Sequence, residues 1–145
     1  MTEIIKYEDD FHGWAMSTAA LLREKRYDQV DYNHIIEELE CMGASERREL
    51  INRVAQLIFH LLKWQYQPQF RSRSWSASVD EQRLKLAQLF DENPGLKGRA
   101  SDFIPKGYKQ SLALMRKETP LERKDLPPQC PYSIEELVDE EYYPK

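Results

Sequence analysis

Apolar residues between positions 45 and 66 recur at the spacing of an α-helix, and this pattern constrains the fold more than any other feature of the chain. The residues that follow this spacing, at intervals of four and three, are Leu50, Val54, Leu57, Leu61 and Trp64. Further apolar residues widen the stripe, which is typical of a helix at the centre of a core. Pro68 is expected to end it. We therefore predict a central helix over residues 45–66.

Four other segments show the same period. They predict helices over residues 10–25, 32–42 and 76–92 and a fifth helix beginning near Asp102. Asp9 and Asp10 are both candidate caps of the first helix, Gly43 is expected to end the second, and Asp102 is expected to cap the fifth with Pro105 in its first turn.

The second predicted helix has one apolar and one polar side. We expect its apolar side to be buried; the residues are Tyr32, Ile35, Ile36, Leu39 and Met42. The opposite side carries His34, Glu37, Glu38 and Cys41, and we expect it to face solvent.

The composition changes after Thr119. The segment "PLERKDLPPQCPYS" is rich in proline and is expected to be extended, and Ser133 with Glu136 forms a capping box for a short helix that ends at Val138. The sequence thus predicts a single all-α domain over residues 1–145, a bundle of about five helices. Residues 119–145 are expected to form a tail that packs on this bundle and includes the short terminal helix.

The overall composition narrows the classes of function. The chain has 145 residues, 41% of them hydrophobic, and a net charge of -4, which disfavours a general polyanion binder but allows a local basic patch. Its two cysteines show no paired spacing and are expected to be free thiols. With no signal-peptide pattern and no apolar run of membrane length, we expect a cytoplasmic protein without membrane contact.

Four blocks of sequence resemble a known family. "YEDDFHGWAMSTAALLR", "IIEELECMGASERREL", "HLLKWQYQPQFRSRSW" and "QCPYSIEELVDEEYYP" are similar, in this order, to the bacterial and largely cyanobacterial domain-of-unknown-function family number 29. The resemblance covers residues 7–144. It implies an all-helical fold and no particular activity.

The segment from position 50 to position 79 contains no Asp or Glu. The residues that would form an anion or nucleic-acid site here are Arg53, His60, Lys63, Arg71, Arg73 and Trp75. Guanidinium groups and serines ahead of a helix favour an anion, and tryptophan offers a stacking face. In the structural alternative, the tryptophans fill the core and the arginines pair with carboxylates, for example those of the acidic tail.

A metal site is the third hypothesis. His34, Glu38 and Cys41 lie at offsets of four and three on one helix face, where they could bind a transition metal. The order is His-x-x-Glu rather than the Glu-x-x-His of di-iron bundles, and it occurs once, so an acidic solvent-facing surface is the favoured interpretation. No nucleophile or phosphate-loop motif is present, an enzyme is not indicated, and no cofactor is predicted.

The leading functional hypothesis is a non-enzymatic binding or regulatory module that acts through an unknown protein partner. The first alternative is binding of nucleic acid or of a phosphate-bearing ligand, and the second is a metal-dependent enzyme. A protein-binding module would expose an apolar patch. The pattern leaves open whether the chain is a monomer or a homodimer.

Overall fold

A computed structural model describes residues 3–145, and over that range the chain contains helices and 3₁₀ turns but no strand. The predicted all-α class is confirmed. The chain divides into two compact units, one extending to Ser45 and the other covering Glu46–Lys145. The helices are α1 (Phe11–Arg23), α2 (Tyr32–Tyr66), α3 (Arg73–Glu92), α4 (Pro94–Lys97), α5 (Ile104–Glu118) and α6 (Ile134–Val138). None of these helices is long and apolar enough to cross a membrane.

The first unit is organised around α1. Of the two predicted candidates, Asp10 is the N-cap, and its side chain accepts a hydrogen bond from the backbone N–H of Gly13. The buried residues of α1 are Trp14, Ser17, Thr18 and Leu21. Just after α1, Lys25 has a left-handed backbone with φ of 60°.

The most important correction concerns Gly43. The sequence predicts two helices separated at this residue, whereas α2 runs without interruption from Tyr32 to Tyr66. No described glycine has a positive φ, so Gly43 does not adopt the left-handed conformation that ends many helices. A glycine inside a helix costs only about 1 kcal/mol relative to alanine, which the continued backbone hydrogen bonds offset. The prediction that Gly43 ends a helix is therefore wrong.

The second unit is a helical bundle around one core. The apolar stripe predicted for residues 45–66 is confirmed, with Leu50, Val54, Leu57 and Leu61 fully buried. Helix α5 packs directly on this stripe at Gly107, because a Cβ atom added there would lie 2.7 Å from Cγ1 of Val54. The close approach of the two helices therefore depends on the missing side chain of Gly107.

The other two long helices differ slightly from prediction at their ends. Helix α3 begins at Arg73, three residues earlier than expected, with Ser72 accepting a hydrogen bond from the N–H of Trp75. Asp102 does not cap α5. It lies in a 3₁₀ turn over residues 100–103, and α5 begins after Phe103 without a side-chain cap, with Pro105 in its first turn as predicted.

Residues 119–145 contain little regular structure. They include a 3₁₀ turn at Arg123–Asp125 and helix α6, whose predicted capping box between Ser133 and Glu136 is present. Leu137 is completely buried in the core of the second unit. The hydroxyl of Tyr132 donates a hydrogen bond to Oε1 of Gln65 in α2 at 2.7 Å. Through these contacts, residues 119–145 pack on the core and on α2 within the second unit.

Candidate binding surfaces

The structure brings together one part of the predicted anion site. The ammonium of Lys63, near the end of α2, lies 4.8 Å from the ring centre of Trp75, in the first turn of α3. The ring of Phe70 lies 6.3 Å from that of Trp75, and Phe70 is 56% exposed. We call Lys63, Phe70 and Trp75 the cation–aromatic cluster. It places a positive charge beside the ring of Trp75, and the ring of Phe70 next to Trp75 is largely open to solvent.

The two arginines ahead of α3 have different surroundings. Nε of Arg71 donates to the carbonyl of Trp64 at 2.7 Å, and its guanidinium lies 5.1 Å from the ring centre of Trp64. Arg73 is exposed in the first turn of α3. Within residues 3–145, neither arginine forms an ion pair with a carboxylate. The carboxylate pairing considered in the structural alternative is therefore absent from the described part of the chain.

Two other residues of the predicted site are poorly suited to binding an anion. Arg53 is paired with Glu49, one turn earlier on α2, at 2.7 Å. His60 is half-buried, and burial, followed by the nearby charge of Lys63, lowers its pKa to about 4. His60 is thus neutral at neutral pH and adds no positive charge to the surface.

Sequence reasoning missed the arginine that holds the chain's C-terminal part. Arg83 in α3 is only 4% exposed. Its Nε donates to the carbonyl of Leu137 and its Nη2 to the carbonyl of Glu136, at 2.9 and 3.1 Å. These carbonyls belong to the last turn of α6, where the helix itself supplies no donors. The guanidinium also lies 5.5 Å from the ring centre of Tyr143, whose hydroxyl donates to Oδ1 of Asp80.

A signal for Arg83 was present in the sequence. Its position falls in the same helical register as the buried Val79, Leu86 and Phe90. A charged residue within an apolar stripe must find partners when it is buried. The sequence does not name these partners, since they lie more than fifty residues further along the chain.

Half of the polar side of the first part of α2 is a contact surface, contrary to prediction: His34 and Glu38 are half-buried, whereas the other two residues of this side are exposed as predicted. The ring of Tyr7 stacks on His34 with the ring centres 4.0 Å apart, and its hydroxyl donates to Oε1 of Glu38. This hydrogen bond raises the pKa of Tyr7 to about 12. Nδ1 of His34 is hydrogen-bonded to Asp31, and this bond raises the pKa of His34 above its ordinary value.

The residues of the predicted metal site are therefore engaged in different ways. His34 contacts Asp31 and Tyr7, Glu38 contacts Tyr7, and Cys41 is exposed as a free thiol. Residues 3–145 contain no group of three or more His, Cys, Asp or Glu side chains that could hold a metal ion. The residues present do not form a metal-binding set.

Four of the five residues on the apolar side of the same helix segment are exposed and Ile35 is half-buried, so the prediction that this side is buried is wrong. Tyr32 and Ile36 are each 52% exposed, Leu39 is 62% exposed and Met42 is 64% exposed. Their spacing places all four on one side of α2. We call these four residues the α2 stripe. A row of large apolar side chains on one helix face is typical of an interaction surface.

These features describe an all-α protein with two candidate binding surfaces. The family model described as Domain of unknown function DUF29 matches residues 6–143, and the chain belongs to this family. The family membership that the four sequence blocks indicated is thereby confirmed. Neither the curated proteins nor the solved structures give a significant match.

Proposed function

We propose that the protein is a non-enzymatic binding module that docks a partner protein on the α2 stripe. The supporting observation is the exposure of Tyr32, Ile36, Leu39 and Met42, each more than half accessible, on one face of a continuous helix. Helical partners commonly bind such a face through apolar residues at spacings of three and four. Full burial of a leucine or methionine side chain in the interface contributes about 1.5–3 kcal/mol to the binding free energy.

Charge indicates the chemistry of the partner. Residues 1–45 contain ten Asp and Glu against four Lys and Arg, whereas residues 46–145 contain fifteen against seventeen. Glu37 and Glu40, both exposed, lie on the same helix segment as the stripe. A partner helix with an apolar face and flanking Lys or Arg would complement this acidic surface. A second copy of the chain would bring two acidic regions together, which disfavours self-association here.

The test uses a synthetic peptide as the probe. A fluorescent peptide of Leu and Lys, arranged as an amphipathic helix, is titrated with the protein and followed by fluorescence anisotropy. We expect it to bind, and we expect Leu39→Gln with Met42→Gln to weaken binding at least about tenfold, or about 1.4 kcal/mol. The matched control is Leu84→Gln, because Leu84 is 61% exposed on α3 in the second unit. This control should bind like the unchanged protein.

Three outcomes would contradict the proposal. The first is equal binding by the stripe variant and the Leu84→Gln control. The second is equal binding of a Leu and Glu peptide with the same apolar spacing, since the acidic surface should repel it. The third is a dimer, seen by light scattering, that dissociates in the stripe variant, because a second copy would then cover the stripe.

A second candidate function rests on the cation–aromatic cluster. Lys63 beside Trp75, the exposed ring of Phe70, and Arg73 without a carboxylate partner among residues 3–145 support binding of single-stranded nucleic acid. Bases stack on such rings while cations contact the phosphates. The stacking surface distinguishes this proposal from binding of free phosphate.

Salt dependence and two variants test this second function. Binding of a fluorescent single-stranded oligonucleotide should weaken steeply as salt is raised, and Arg73→Ala should reduce both the affinity and the salt slope. Lys97→Ala is the control, since Lys97 is an exposed cation on α4, outside the cluster. Equal effects of the two variants would remove the cluster as the binding surface.

We place the protein in the cytoplasm, and its two free thiols, Cys41 and Cys130, support a reducing environment.

A further inference from the structure

A second kind of site lies in the other unit, in a groove between α5 and the segment that follows the 3₁₀ turn at Arg123–Asp125. The groove has a volume of about 650 Å³, within the range of small-molecule sites. Its apolar lining comes from Ile104, Pro105, Tyr108, Leu112 and Pro128. Its walls are therefore made largely of hydrophobic and aromatic groups, as in most small-molecule sites.

The charged groups that line the groove are both cations. Lys109 and Arg123 contribute to its lining, and no Asp or Glu does. Lys109 makes no ion pair with a carboxylate anywhere in residues 3–145, and neither does Arg123. An anionic group entering the groove would meet two positive charges that line it and form no ion pair within residues 3–145.

One wall of the groove is held in place by hydrogen bonds. Tyr108, which is 4% exposed, donates its hydroxyl proton to the carbonyl of Pro127 at 2.5 Å. The guanidinium of Arg123 donates to three successive carbonyls, those of Leu126, Pro127 and Pro128, at 3.2, 2.9 and 3.0 Å. The wall is therefore formed before any ligand arrives, which reduces the entropy lost on binding.

We propose that this groove binds a small organic acid with a largely apolar body, its anionic group placed toward Lys109 and Arg123. The apolar lining takes up the body, and the two cations select against neutral and cationic compounds of the same size. This site is separate from the α2 stripe and does not depend on the proposed partner.

The two cysteines of the chain allow a test with an internal reference. Cys130 lines the groove and is half-buried, whereas Cys41 is exposed on α2 in the first unit. Iodoacetamide alkylation of both thiols is followed by peptide mass spectrometry at mildly alkaline pH, because burial raises the pKa of Cys130. The probe is decanoate. With a Kd on the order of 0.1 mM, decanoate at about 1 mM should slow alkylation of Cys130 about tenfold and leave Cys41 unchanged.

A variant and a second probe test the role of charge. Lys109→Gln should remove most of the protection, while Lys106→Gln, an exposed lysine on α5 that does not line the groove, should retain it. Decyltrimethylammonium, a cation with the same chain length, should give no protection. The proposal is overturned if decanoate leaves Cys130 unprotected, slows both thiols equally, or protects the Lys109→Gln variant fully. Equal protection by the cationic probe would overturn it as well.

Discussion

Nε of Arg83 donates a hydrogen bond to the carbonyl of Leu137, 54 residues further along the chain, and joins α3 to the last turn of α6. The guanidinium therefore supplies the donors that the short helix cannot supply for its own carbonyls. Leu137 itself is completely buried in the core of the second unit. This link therefore ties the C-terminal part of the chain to α3.

Replacement of Arg83 tests this dependence. Arg83→Ala should lower the free energy of unfolding by about 2–4 kcal/mol, because the carbonyls of Glu136 and Leu137 lose their partners. Urea denaturation measures the change, and hydrogen exchange should show faster exchange of the α6 amides. Lys85→Ala removes an exposed pair with Glu81 at 3.1 Å and should cost less than about 0.5 kcal/mol. If both variants lower the free energy of unfolding by the same amount, the contacts of Arg83 with α6 do not stabilise the protein.

Gly107 tests the contact between α2 and α5. A Cβ atom at this position would lie 2.7 Å from Cγ1 of Val54, so Gly107→Ala should destabilise the protein by about 1–3 kcal/mol. Val54→Ala removes the obstructing methyl groups. In the double variant the loss should therefore be smaller than the sum of the two single losses. Denaturation of the four proteins gives the coupling, and strict additivity would contradict the close approach.

A substitution at Gly43 distinguishes one long helix over residues 32–66 from two shorter helices. Because it lies inside α2 without a positive φ, Gly43→Ala should stabilise the protein by about 0.5–1 kcal/mol. The reverse change at the next position, Ala44→Gly, should destabilise it by a similar amount. If Gly43 ended a helix in the left-handed conformation, alanine there would be strained and would lower the melting temperature.

The lowered pKa of His60 predicts that the folded protein loses stability in acid. Its pKa is lowered from 6.5 to about 4 in the folded protein, so the unfolded chain binds a proton at a higher pH than the folded chain does. The stabilising contribution is therefore present above pH 6.5 and is lost as the pH falls toward about 4. After solvent screening we expect a loss of about 1–2 kcal/mol.

Measurement of thermal unfolding against pH tests this prediction. His60→Gln should reduce the decline, whereas His12→Gln, at an exposed position on α1, should leave it in place. An NMR titration of the His60 ring gives the pKa directly. A midpoint near the ordinary value would remove the physical basis of the prediction.

The features that the sequence predicted correctly depend on residues close together along the chain. They include the cap formed by Asp10, the capping box of Ser133 and Glu136, and the central stripe from Leu50 to Leu61. Each follows from helical spacing or from a hydrogen bond across one turn, and such interactions can be identified without knowing what lies opposite.

The candidate surfaces were predicted less well, because they depend on what covers each helix face. Lys63 and Trp75 do lie together, but Arg53 is neutralised by Glu49 and His60 by its burial. The metal hypothesis considered only α2 and could not include Tyr7, whose ring and hydroxyl engage His34 and Glu38.

The sequence by itself determined most of the helical segments and which side of each is apolar, because the backbone period sets both, but it did not show that α2 continues through Gly43. Only the tertiary structure decided which apolar side is buried. The stripe from Leu50 to Leu61 lies in a core, whereas the α2 stripe, also spaced by three and four residues, is open to solvent. The tertiary structure also gave Arg83 its partners in α6. Helical periodicity identifies the apolar face of a helix but not what packs against that face. The packing partner comes from distant parts of the chain or from another molecule.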